Sequence, residues 1–124
     1  MVIDTNILIY YLNQQLTDKA KMEVENAILQ GSAISIITRI EVLGWQGHTE
    51  ASLVAAKNLL SLLEEIDLNQ IIANQCIALR KMYKIKLPDA IIAATALTHQ
   101  QVIMSRNEDD FIKIAGLTVN NPFS

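Results

Sequence analysis

Cysteine is nearly absent. Cys76 is the only one in 124 residues, which excludes an internal disulfide, an iron–sulfur cluster and a cysteine-rich zinc site. A lone cysteine in so apolar a chain reads as a small core hydrophobe. Proline and glycine number two and four; no Pro- or Gly-rich linker, repeat or low-complexity run divides the sequence, so residues 1–124 are expected to form one domain. No uninterrupted apolar run approaches the roughly 20 residues of a membrane-spanning helix, because Asn, Gln, Lys or Asp breaks each one. No membrane role is expected. The N-terminus has no basic region ahead of its apolar residues and no cleavage segment, so a secretory signal is not expected and a cytoplasmic location is. Basic charge is in deficit, ten Lys and Arg against 13 Asp and Glu, for a net charge of −3. With a pI near 5.3, the chain does not look like a general electrostatic binder of nucleic acid.

Aliphatic residues are plentiful. The hydrophobic fraction is 51% and the charged fraction 19%, with mean hydropathy +0.25. Disorder is thereby excluded and a substantial core is expected. The surplus includes Leu53, Leu59, Leu60, Leu62 and Leu63, a helix too apolar for full exposure, which predicts a homodimer; the other reading is a helix buried in the core. The scarce basic residues are also clustered. Arg80, Lys81, Lys84 and Lys86 hold four of the ten within seven positions, which makes a local basic face on an acidic protein, or else an ordinary solvated helix face.

Short β-branched runs alternate with amphipathic stretches. Val2–Asp4 reads as a strand, followed by a short helix over Asn6–Leu12 that Thr5 or Asn6 caps. Apolar Ala20, Val24, Ala27 and Ile28 predict a helix over Thr17–Gln30, with Gly31 placed to end it. Ala33–Ile37 reads as a buried parallel strand and a helix begins near Thr38. Helices are expected over Thr49–Leu63, Asn69–Tyr83, Pro88–His99, with Pro88 in the first turn, and Glu108–Ile114. The remaining strands are a brief one at Ile66 and Leu68, one at Val102–Met104 and an edge strand at Leu117–Val119. The pattern predicts a three-layer α/β/α sandwich with a mainly parallel central sheet. In such sheets the reactive site lies beyond the carboxyl ends of the strands.

Acids stand at those positions. Asp4 closes the first strand, Glu41 follows the second, Asp89 starts a helix behind Pro88, and Asp110 starts the helix after the last central strand. Their separations of 37, 48 and 21 residues do not by themselves bring them together; the expected fold does. Each also has a purely structural reading. Thr38-Arg39-Ile40-Glu41 fits a capping box, and Asp89, Asp109 and Asp110 suit the positive ends of helices. Asp4 resists such a reading, because a carboxylate just inside a core is costly unless hydrogen-bonded or metal-bound.

Four segments carry a family resemblance: Val2-Ile3-Asp4-Thr5-Asn6-Ile7-Leu8, Ser35-Ile36-Ile37-Thr38-Arg39-Ile40-Glu41-Val42, Lys86-Leu87-Pro88-Asp89 through Ala96, and Ser105-Arg106-Asn107-Glu108-Asp109-Asp110-Phe111. Together, in this order and spacing, the chain resembles a PIN domain, and within that family the VapC-type toxins of bacterial toxin–antitoxin pairs. The resemblance implies an acidic site of Asp4, Glu41, Asp89 and Asp110, supported by Thr5, Asn6, Ser105 and Asn107. Ser105 stands where the family usually has Thr, and the fourth acid could be Asp109 or Asp110. It implies Mg²⁺ or Mn²⁺, whose preference for hard oxygen ligands suits carboxylates, and endonucleolytic hydrolysis of RNA by in-line attack of an activated water, leaving a 5′-phosphate and a 3′-hydroxyl.

Arg80, Lys81, Lys84 and Lys86 then become candidates to hold the RNA backbone. Tyr10, Tyr11, Trp45 and Tyr83 read better as core or interface than as base-stacking groups. Trp45 and Ile7–Tyr11 suggest a groove, and the resemblance implies that it receives the antitoxin's C-terminal segment, with an antitoxin arginine competing for the carboxylates. His48 and His99 do not stand where a metal-independent acid–base pair would. The competing reading is a PIN-like module that binds nucleic acid or protein without cleaving. A receiver domain wants adjacent acids after the first strand and a late Lys, and a haloacid-dehalogenase-like phosphatase wants Asp where Asn6 stands; neither pattern is present.

Overall fold

A computed structural model describes residues 1–124. Seven helices surround five strands: β1 (Val2–Ile3), α1 (Thr5–Leu12), α2 (Asp18–Leu29), β2 (Ala33–Ser35), α3 (Ile36–Leu43), α4 (Glu50–Leu60), β3 (Glu64–Ile66), α5 (Gln70–Met82), α6 (Leu87–Thr98), β4 (Ile103–Met104), α7 (Glu108–Ile112) and β5 (Val119–Asn120). All four strand pairings are parallel, in the order β3-β2-β1-β4-β5. The α/β sandwich expected from the sequence is therefore the observed architecture. None of its helices is long and apolar enough to cross a membrane.

Two-residue alternation in the central strands builds the layers. Val2 and Ile103 join one core with α5, α6 and Phe111 of α7, whereas Ile3 and Met104 join the other with α1, α2 and α4. Successive side chains of a strand point to opposite faces, so these four residues tie both helical layers to the sheet. Cys76 lies buried in the first core, as its isolation suggested. Helix α6 is buried from Ala90 through Ala96, which fixes the axis whose first turn carries Asp89.

Several boundaries differ from expectation for local reasons. Asp4 itself caps α1, its carboxylate accepting from the Thr5 N–H, so the helix starts at Thr5. Ser35 caps α3 through the Ile37 N–H, which moves the helix start back to Ile36 and places Thr38 and Glu41 inside it. Thr38 and Glu41 thus do not form the capping box that is their purely structural reading. β3 begins at Glu64 rather than near Ile66, because an edge strand with two exposed glutamates has no apolar signature. β5 likewise lies at Val119–Asn120 instead of Leu117–Val119. The leucines of α4 also sort differently from the interface reading. Leu59, Leu60 and Leu63 are buried in the core and Leu62 alone of the five is exposed, at 63%. At the end of α2, Gly31 adopts φ +88°, the left-handed conformation that glycine permits after a helix.

Candidate active site

The chain runs β1, β2, β3 toward one edge and then returns to place β4 against the other side of β1. The order reverses between β1 and β4, and ligand sites in open α/β sheets form in the crevice beyond such a switch point. Asp4 leaves β1 and Ser105 leaves β4 at that crevice. Both are almost fully buried, and the Ser105 hydroxyl donates to Asp4 Oδ2 at 2.6 Å. Asp4 Oδ1 accepts from the Thr5 N–H at 2.8 Å. Ser105 Oγ in turn accepts from the Asn107 N–H at 2.9 Å, and Asn107 Nδ2 donates to Asp110 Oδ2 at 2.9 Å. One continuous chain of hydrogen bonds therefore runs from Asp4 to Asp110.

A second chain reaches Glu41. Thr5 Oγ1 lies 2.7 Å from Glu41 Oε1 and 3.0 Å from Thr38 Oγ1. One hydroxyl hydrogen cannot serve both, so Thr5 donates to the carboxylate and accepts from Thr38. Thr38 is fully buried, and nothing local in the sequence marks it as a site residue, because its role comes from packing α1 against α3.

The electrostatics join the four acids. Asp4 is pushed up to about 6, chiefly by burial, with the charges of Asp89 and Glu41 adding and its hydrogen bonds from Ser105 and Thr5 opposing. Asp89 is raised by burial first, then by Asp110 and Glu41, against the lowering influence of Lys86. Asp110 thus lies within the field of Asp89 and bonds Asn107, whereas Asp109 is exposed. Asn6 presents a buried Oδ1 that has no hydrogen-bond partner. An all-oxygen donor set with mutual repulsion suits a hard divalent cation, although no three acids are drawn tightly enough to form a ready-made metal cluster.

Arg80, Lys81, Lys84 and Lys86 are all exposed. Lys86 occupies the N-cap position of α6, three residues before Asp89. Lys113 joins them, its Nζ donating to the Lys84 carbonyl at 3.0 Å; its place in the sequence gave no hint of this. On another side of Glu41, a groove of about 270 Å³ runs between α1, α3 and α4, lined by Ile9, Leu12, Val42, Trp45 and His48. Trp45 is 61% exposed. His48 stands edge-on to it, Nε2 donating to the Val42 carbonyl at 2.7 Å, so that Nδ1 accepts from Ser52 in the neutral ring. Tyr83 packs against the core. His99 ends α6.

The family model for the PIN domain matches residues 1–117. The chain belongs to the PIN domain family. Among solved structures, this PIN domain is similar to a chain of the toxin–antitoxin complex from Klebsiella pneumoniae, with 36% identity, TM-score 0.81, and 98% of this chain and 96% of that one covered. It is also similar to a chain of VapBC2 from Rickettsia felis, solved bound to a promoter DNA fragment, at 25% identity and TM-score 0.82 over 97% and 96% of the two chains. VapBC-1 from nontypeable Haemophilus influenzae, at 24% identity, TM-score 0.81 and 99% and 98% coverage, shares the fold. No curated protein matches the sequence significantly. PIN domains of VapC toxins are in general nucleases that use divalent metal ions.

Proposed function

We propose that this PIN domain is a metal-dependent endoribonuclease and the toxin of a VapBC-type pair. The observation that carries the reading is the pair of hydrogen-bond chains that hold Asp4 and Asp110 on one side and Glu41 on the other, within the field of Asp89. Asp4, Glu41, Asp89 and Asp110 would hold the cation. Mg²⁺ or Mn²⁺ would neutralise charge on the phosphoryl oxygens and make water acidic enough to serve as nucleophile. The chain's own residues orient the site: Ser105 and the Thr5 N–H fix the two oxygens of Asp4, Thr5 fixes Glu41, and Asn107 fixes Asp110. Asn6 offers its free buried oxygen to whatever enters. Lys86 acts on the charge of Asp89, and together with the exposed Lys84, Lys81 and Arg80 of the same stretch it would bind RNA phosphates.

Purified protein given end-labelled total RNA with Mg²⁺ or Mn²⁺ is expected to make discrete cuts that EDTA abolishes. Folded, metal-binding protein that cuts none of a varied set of RNAs would instead favour a binding module without catalysis.

The groove beside Glu41 supports an antitoxin partner. Its apolar floor and exposed Trp45 suit a segment with apolar anchors, and an arginine at the segment's end would meet the carboxylates. Trp45→Ala is expected to weaken antitoxin binding by about 30-fold, the cost of losing an aromatic anchor, measured by titration calorimetry; an unchanged affinity would place the partner elsewhere. A homodimer belongs to the same reading, on grounds other than α4. Ile40, Leu68, Ile71, Ile77 and Met82 are exposed apolar side chains available for such a contact. The proposed setting is the cytoplasm.

A further inference from the structure

Arg106 stands between Ser105, which holds Asp4, and Asn107, which holds Asp110. An arginine beside four carboxylates would be expected to pair with one of them. It pairs with none: the two salt bridges of the chain are Lys19–Glu23 and Arg39–Glu65. The guanidinium lies instead in a corner of two aromatic rings, its Cζ 4.2 Å from the Phe123 centroid and 5.1 Å from that of Tyr10. The rings themselves meet edge to face, at 5.5 Å and 68°. Phe123 is held in turn, its N–H donating to Asn121 Oδ1 at 2.9 Å, while the Ser124 carbonyl after it accepts from Lys19 Nζ at 2.6 Å.

Stacking on π faces fixes the plane of a guanidinium and leaves its N–H edge unused. Arg106 is exposed, and its side chain makes no hydrogen bond to the protein. A mounted, charged fork whose donors are unclaimed is built for an anion with paired oxygens. Both chain neighbours of Arg106 hold carboxylates of the site, so an anion bound by Arg106 belongs to a ligand that the carboxylate site also receives. We propose that Arg106 binds a backbone phosphate of the RNA strand that enters the carboxylate site, with Phe123 and Tyr10 as its mount. This rests on the nuclease reading. It makes Arg106 a substrate-binding residue and gives the C-terminal tail the task of positioning it.

The test uses the Asp4→Asn protein as a non-cleaving background and a short fluorescent single-stranded RNA, with anisotropy read in Mg²⁺ across a range of salt concentrations. Adding Arg106→Ala should weaken binding about tenfold, the worth of a charge-assisted hydrogen bond. It should also lower the slope of log affinity against log salt by about 0.7, the share of one phosphate on a single strand. Phe123→Leu keeps the charge but loosens the mount, so it should cost affinity while leaving the slope in place. Unchanged affinity and slope in Arg106→Ala would overturn the proposal, as would a lowered melting temperature alone, which marks a purely structural clasp. RNA binding left intact with antitoxin binding weakened would assign Arg106 to the protein partner and also overturn it. Folded wild-type protein that neither binds nor cuts RNA overturns the nuclease reading itself, an outcome distinct from a binding parent that Arg106→Ala matches.

Discussion

Under the proposed function, replacing Asp4 by asparagine is expected to remove RNA cleavage while leaving the fold intact. Asparagine keeps the shape and can still accept from the Thr5 N–H, but it carries no charge for a cation. Changing partners in the outer shell of a metal site already costs about 10- to 100-fold, so loss of a ligand should exceed 100-fold. Single-turnover cleavage of labelled RNA measures the effect, and thermal melting shows that the protein is folded. Undiminished cleavage would take Asp4 out of the site.

The same carboxylate should make the metal-free protein less stable as pH rises. Asp4 has its folded pKa raised to about 6, above the ordinary 3.8 of an unfolded chain, mainly because it is buried. The folded state therefore binds the proton more tightly than the unfolded state. The stability this confers is fully present below about pH 4 and is lost as pH rises through about 6. Two pH units correspond to about 3 kcal/mol, a large part of the stability of a small domain. Asp89, also raised by burial and neighbouring acids, acts in the same direction. Urea unfolding in EDTA should show a midpoint that falls between about pH 4 and pH 7. Mg²⁺ should restore it at the upper end, because a ligand that binds only the folded state stabilises it. Asp4→Asn should flatten the profile, and a midpoint that climbs over this range would refute the electrostatic account.

What the sequence discloses and what it conceals divide along physical lines. Val2-Ile3 and Ile103-Met104 are legible as strands because both faces of the central sheet are covered, so apolar residues run without alternation. Of Glu64–Ile66 only Ile66 is legible, because an edge strand carries little apolar requirement. The leucines of α4 show helical periodicity, yet periodicity does not say whether the covered face meets the protein's own core or another chain. At the site, the four acids and the polar residues Thr5, Ser105 and Asn107 are visible through their motifs. Their partners are not. Thr38 matters because α1 crosses α3, and Arg106 because Tyr10 and Phe123 come together from opposite ends of the chain. Such pairings are tertiary facts with no local signal.

Glu41 lines the groove between α1, α3 and α4 and also accepts from Thr5 inside the carboxylate site. Under the proposed function one side chain then serves both the reaction and its silencing. A lineage of this toxin that tried to evade its inhibitor by altering Glu41 would disarm itself in the same step. Escape must come through residues such as Trp45 or Ile9, which touch the groove alone, and that confines the evolutionary contest between the two proteins to the groove's apolar floor.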